Sequence, residues 1–174
     1  MNTSTSNSAV GNVAMIWGIA GFLLLLVYAI VRLTPIAWEA LQHSLTWMQW
    51  LLLIGNTLFM AYSEGYRGFQ VGYSPRVVSR AMYLRRNATA FNTIFAPLFC
   101  MSYFSAPRRR VITSWVLTVA IIILIILFHK LSQPWRGILD AGVVVGLSWG
   151  TVSTVLIGYQ YFSGAADPVD PEIV

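Results

Sequence analysis

From Val111 to Phe128 the chain reads VITSWVLTVAIIILIILF, a stretch without a charged side chain that closes on the unbroken run IIILIILF. As a helix, a run of that length covers a hydrocarbon core of about 30 Å. In a bilayer, helices and closed barrels alone satisfy their own backbone polar groups. This segment therefore points the whole chain toward a helical membrane fold, and the composition agrees. Of 174 residues, 57% are hydrophobic and only 10% charged, with a mean hydropathy of +0.67, well outside the range of soluble domains.

Three further stretches have the length and character of spans: about 13–33, about 47–69 and 138–162. The expected fold class is an all-α integral membrane protein of four transmembrane helices, with a short re-entrant or interfacial hairpin at 88–104. The alternative is five transmembrane helices. Thr34-Pro35 and Ser74-Pro75 each read as a cap followed by proline at a first helical position, so a new helix is expected at each. The opening MNTSTSNSAVGN is small and polar and has no signal-peptide n-region, which predicts a disordered tail over 1–12 and a retained first span. Residues 163–174, with Asp167, Asp170 and Glu172, read as a flexible acidic tail able to lie against arginines on the same side.

The segment 88–104 decides the topology. It is short, holds Ala96-Pro97, and has arginines on both flanks. If it enters and returns, eight basic residues stay inside (67, 76, 80, 85, 86, 108, 109, 110) and three lie outside (32, 130, 136). If it spans, the best split is seven to four. The positive-inside rule thus leans toward the hairpin, in a bacterial inner membrane with both termini cytoplasmic.

Glycine spacing carries the packing information. Gly142, Gly146, Gly150 and Gly158 recur at four or eight residues, an extended small-xxx-small ladder suited to close helix contact or oligomerisation. Its functional alternative is the wall of a solute path. Drawn at 100° per residue, Gly65, Gly68 and Gly72 form a second glycine face, with Tyr62, Tyr66, Phe69 and Tyr73 on another side. Glu64 and Arg67, three apart, are placed to pair. Gly18 and Gly21 mark a packing side of the first span, Asn56 is expected to bond across helices, and the single Cys100 is expected to serve packing.

Residues 75–87 form a basic amphipathic helix, with Arg76, Ser79, Arg80, Tyr83, Arg86 and Asn87 on one arc and Val77, Val78, Ala81, Met82 and Leu84 on the other. Such a helix suits an anionic membrane surface. The candidate lipid- or partner-binding set is Arg67, Arg76, Arg80, Arg85, Arg86, Arg108, Arg109 and Arg110, with Glu64. The net charge of +5 comes from residues flanking apolar spans, so it marks orientation and anionic membrane lipids rather than nucleic acid.

Chemical motifs are sparse: Walker A, HExxH and CxxC patterns are absent from the sequence. No cofactor is expected. Glu39, His43, His129 and Asp140 are low-ranking candidates for a metal or haem site. The function expected first is a non-catalytic accessory, assembly or scaffold subunit that packs on other membrane helices as a homo- or hetero-oligomer and binds anionic lipid. The alternatives are a small oligomeric transporter or channel, and a lipid-phosphate-processing enzyme using Glu64 and the arginines.

Overall fold

Regular structure throughout the described residues is helical, the outcome the bilayer argument requires. The computed structural model describes the backbone of residues 3–173 and the side chains of residues 9–173. In chain order the elements are α1 (Thr3–Gln42), α2 (Trp47–Met60), a π-helical segment (Ala61–Tyr73), α3 (Ser74–Arg86), α4 (Ala90–Ile94), α5 (Ala96–Cys100), α6 (Arg108–His129) and α7 (Trp135–Ser163). Three stretches are long and apolar enough to cross a membrane: Ala9–Gln42, Arg108–His129 and Trp135–Ser163. The chain is thus an integral membrane protein by length and composition. The span expected over 47–69 is divided at Met60 between α2 and the π segment.

Two helix boundaries differ from expectation. Helix α1 runs through Pro35 to Gln42 instead of ending at Thr34. Proline removes the donor that the Val31 carbonyl would otherwise receive, an interruption that membrane helices tolerate; just before it the Thr34 hydroxyl donates to the Ile30 carbonyl at 2.7 Å. At its other end α1 begins at Thr3, within the stretch expected to be a disordered tail; residues 1 and 2 lie outside the described residues. A reason lies in packing: Gly11 sits against the Arg85 carbonyl and Arg85 Nε donates to Asn12 Oδ1 at 3.0 Å. Helix α2 starts with a capping box, Thr46 and Gln49 satisfying each other's backbone N–H.

The chain forms two compact units. The first takes α1 up to Leu24, Tyr73–Leu117, and the chain from Thr154 onward. At its centre is α3, which buries Ser74, Val77, Val78, Ser79, Arg80, Ala81 and Leu84. It is therefore not a surface helix with one wet face. Ser74 is not a cap either: the residue before α3, Tyr73, has helical φ and ψ (−87°, −47°), and Ser74 Oγ instead accepts from Thr154 Oγ1 at 2.8 Å in a fully buried pair.

Short helices α4 and α5, which occupy the expected hairpin, belong to the same unit. Ala96, Phe99 and Cys100 are buried, while Phe91, Ile94, Phe95 and Leu98 are exposed. Gly18 and Gly21 take the packing roles expected of them: a Cβ on Gly18 would come within 2.7 Å of Cys100 Sγ, and one on Gly21 would strike Pro97. Trp17 Nε1 donates to the Ile94 carbonyl at 3.3 Å. The turn after α5 is held by Tyr73 Oη and Ser114 Oγ, both donating to the Met101 carbonyl at 3.2 and 2.8 Å.

The second unit comprises Leu25–Gly72 and Thr118–Ser153. Here the α7 glycines are filled by the chain's own α2 and π segment. A Cβ on Gly142 would collide with Asn56, one on Gly146 would lie 3.1 Å from Glu64 Cβ, and one on Gly150 would lie 2.5 Å from Phe69 Cγ. Along α7 the contacts step by four residues, whereas on the facing strand of contacts they step from Asn56 to Met60 to Glu64 and then by five to Phe69. Five is the π-helical repeat. The same offset places Gly65 against the Trp149 side chain and lets Gln70 Oε1 accept from Trp149 Nε1 at 2.7 Å.

The π segment therefore overturns the faces drawn at 100° per residue. Gly65 and Gly68 do not form one docking face, since Gly68 meets the Ser63 carbonyl of its own segment. Asn56 makes the expected interhelical bond, its Nδ2 donating to the Ile138 and Leu139 carbonyls at 2.9 and 3.3 Å. The α6 residues from Ile121 to Leu127 are all about half exposed, from 47% to 55%, so this stretch offers an apolar surface on every side.

Candidate functional site

The arginines separate into two kinds, and Arg80 stands apart from the rest. Its side chain extends from the middle of α3 and is 1% exposed. Nε donates to the Phe99 carbonyl at 2.7 Å. Nη1 donates to the carbonyls of Pro171 and Glu172 at 2.9 and 3.2 Å, and Nη2 to those of Phe104 and Ser105, each at 3.0 Å. A guanidinium has five N–H groups, and all are used. The guanidinium carbon also lies 4.3 Å from the centre of the Phe99 ring, within cation–π range. Arg80 thus ties the turn after α5 and the C-terminal segment to α3, and it is not part of an open lipid-binding face.

Burial pushes the Arg80 pKa down, with the nearby Glu172 carboxylate acting in the opposite direction. All five of its acceptors are neutral carbonyls, so no carboxylate touches this buried charge. Ser105 is held with φ +50° and Ser102 with φ +63°, left-handed conformations uncommon for residues other than glycine. The two Nη2 bonds secure the carbonyls at that bend.

The C-terminal segment, expected to be flexible, is docked at Pro171 and Glu172. Arg110 meets Glu172 side-on: Nε to Oε2 at 2.6 Å and Nη2 to Oε1 at 3.0 Å. These bonds from Arg110 hold the Glu172 carboxyl below the ordinary carboxylate range. The Glu172 N–H in turn donates to Asp170 Oδ1 at 2.8 Å. Arg76, half-buried, has its pKa lowered first by burial and then by proximity to Arg110, with Glu172 opposing both.

Arg85, Arg86, Arg108 and Arg109 are the exposed members of the set in the first unit, at the end of α3 and the start of α6. Arg67 is exposed and Glu64 packs on Gly146, and both belong to the second unit. Their expected pairing is not among the ion pairs of the described residues, which are Arg110–Glu172 and Arg136–Asp140. The π geometry explains this, because residues three apart stack on an α-helix but diverge when the turn widens.

The four metal candidates are not gathered. Among the described residues no three His, Cys, Asp or Glu side chains converge. His43, just past the end of α1, uses Nδ1 on the Glu39 carbonyl at 2.9 Å, and His129, the last residue of α6, uses Nδ1 on the Ile125 carbonyl at 2.8 Å. The Glu39 carboxylate accepts from Gln133 Nε2 at 3.2 Å. Asp140, 3% exposed, lies 3.7 Å from Arg136 Nε, and Arg136 Nη2 stands 3.4 Å from His129 Nε2.

Gly142, Gly146 and Gly150 are closed by Asn56, Glu64 and Phe69, while nothing lies within 4 Å of a Cβ on Gly158. Sequence reasoning assigned Arg80 to the wet arc, yet a signal for its burial was present. Val77 at i−3 and Leu84 at i+4 put it on the edge of the apolar stripe. No protein-family model, curated protein or solved structure matches the chain.

Proposed function

We propose that this protein is a non-catalytic accessory or scaffold subunit of a membrane assembly, holding anionic lipid against an arginine face on the cytoplasmic side of a bacterial inner membrane. The observation that carries this reading is the exposure of Arg85, Arg86, Arg108 and Arg109 within one compact unit that also presents Phe91, Ile94, Phe95 and Leu98 to its surroundings. Exposed arginines beside exposed aromatic and aliphatic side chains match the boundary between headgroups and acyl chains. In this reading both termini are cytoplasmic, α4 and α5 form an interfacial hairpin, and α2 with the π segment supplies the fourth crossing. The bare stretch of α6 is covered by acyl chains or by a helix of another subunit.

Native mass spectrometry of the purified protein tests the proposal through the lipid it retains. The wild type is expected to keep phosphatidylglycerol in preference to phosphatidylcholine. Each arginine near an anionic surface contributes about 1 kcal/mol. The combined Arg85→Gln, Arg86→Gln, Arg108→Gln, Arg109→Gln variant should therefore lose that preference. Equal retention of both lipids by wild type and variant would refute the arginine face.

A further inference from the structure

The docked C-terminal segment occupies a place shaped for a phosphate. Two guanidiniums, Arg80 through Nη1 and Arg110 through Nε and Nη2, converge on residues 171 and 172 and take four oxygens from them: the Pro171 and Glu172 carbonyls and both Glu172 carboxylate oxygens. Charge is not balanced there. Arg80 and Arg110 bring two positive charges, and the half-buried Arg76, influenced by both Arg110 and Glu172, brings a third nearby, against two carboxylates: Glu172 and Asp170, which accepts from the Glu172 N–H at 2.8 Å. A buried cation ordinarily has an anionic partner, and Arg80 makes only neutral contacts. A phosphate monoester, carrying about −1.5 to −2 charges at neutral pH with several strong acceptor oxygens, supplies what the segment lacks.

Two features make the segment replaceable. Glu172 is held at φ +49°, a strained conformation for a side-chain-bearing residue. Its carboxylate is also partly open, since the side chains of Arg110 and Glu172 are 39% and 32% exposed. We infer that Arg80 and Arg110 form an anion site whose ligand is a phosphate group, and that the Pro171-Glu172 segment is a tethered stand-in which the phosphate displaces. This rests on the anionic-lipid reading above for the lipid as source; free phosphate is the other source of the same chemistry. Because the stand-in is tethered, it competes as an intramolecular ligand at high effective concentration, and binding is suppressed until the phosphate is abundant.

The test uses the full chain in nanodiscs, with Cys100→Ser and a fluorophore on Val169→Cys, a position 40% exposed in the native protein. Phosphatidic acid in a phosphatidylcholine bilayer and inorganic phosphate in solution are the two probes. Either probe is expected to free the label, raising its rotational mobility, and Glu172→Gln is expected to lower the half-saturating concentration by about tenfold, the weight of one charge-assisted contact. Arg110→Gln should abolish saturable release by phosphate. Release by phosphatidic acid alone assigns the site to a lipid headgroup, whereas release by both assigns it to phosphate from either source. If phosphatidic acid is retained by the wild type but neither probe frees the label, and Glu172→Gln changes nothing, this inference falls while the arginine face stands. If inorganic phosphate frees the label and no anionic lipid is retained, the arginine face falls and the site stands.

Discussion

Replacing Arg80 by methionine keeps an unbranched apolar stem against Phe99 and removes the guanidinium. Five hydrogen bonds of 2.7 to 3.2 Å disappear together. Bonds to a charged group are worth about 1.5–3 kcal/mol each, but such values do not add when the bonds share one side chain. The carbonyls of Pro171 and Glu172 regain water once the segment lifts, whereas the Phe99 carbonyl lies beside a fully buried ring and regains little. Against these losses stands the relief of a buried charge, which in other settings makes a hydrophobic replacement neutral or better. That relief is outweighed here because the Phe99 carbonyl is left buried without a donor and the C-terminal segment loses its docking.

The net cost is expected at about 3–5 kcal/mol, the range for breaking a buried network. For a chain of this size each kcal/mol lowers Tm by about 2–4 °C, so Arg80→Met should melt roughly 6–20 °C below the wild type in the same detergent. Hydrogen exchange should rise at both segments that Arg80 holds, 99–105 and 171–172. Arg80→Lys retains the charge but offers one ammonium in place of a fork, and should fall close to Arg80→Met. A Tm within about 2 °C of the wild type, with exchange unchanged at both segments, would show that the five bonds contribute nothing net.

The α7 ladder divides into filled and open positions. Gly150→Ala drives a Cβ into the Phe69 ring and should cost about 1–3 kcal/mol, while Gly158→Ala meets open space and should be neutral or stabilising by up to about 1 kcal/mol, both read from thermal unfolding. Docking of the C-terminal segment should depend on acidity in a defined direction. Because the docked Glu172 carboxyl titrates below its ordinary value, its contribution is complete above the ordinary carboxylate range and is lost as pH falls through the lowered pKa. Limited proteolysis within 164–173 should accelerate over that acidic window in the wild type, and Glu172→Gln should flatten the change. For topology, single cysteines at Asn87, Ser105 and Ser132 in a Cys100→Ser background are treated in intact cells with an impermeant thiol reagent. Ser132→Cys should label and the other two should not, and labelling at Ser105→Cys would show that 88–104 crosses the membrane.

Much of the architecture was legible because burial in lipid is a matter of composition and length. The apolar runs of α1, α6 and α7, the packing sides at Gly18 and Gly21, and the interhelical bond of Asn56 follow from residue type alone, since hydrocarbon leaves each of them few options. Less was legible where one helical geometry had to be assumed. A sequence drawn at 100° per residue groups Gly65, Gly68 and Gly72, and only the neighbouring α7 shows that the turn widens so that Glu64 and Phe69 meet successive glycines instead.

The arginines mark the same limit from the electrostatic side. Their clustering beside apolar spans is a property of the chain and by itself argues for an anionic surface. Which of them remains open is a property of the fold. Arg85, Arg86, Arg108 and Arg109 stay exposed, while Arg80, one position from Ala81 and flanked by Val77 and Leu84, is drawn inside. Its burial depends on five carbonyls contributed by residues 99, 104, 105, 171 and 172. Residue type announces a charge, but whether that charge faces water or the interior depends on acceptors brought from distant parts of the chain, and only tertiary structure assembles them.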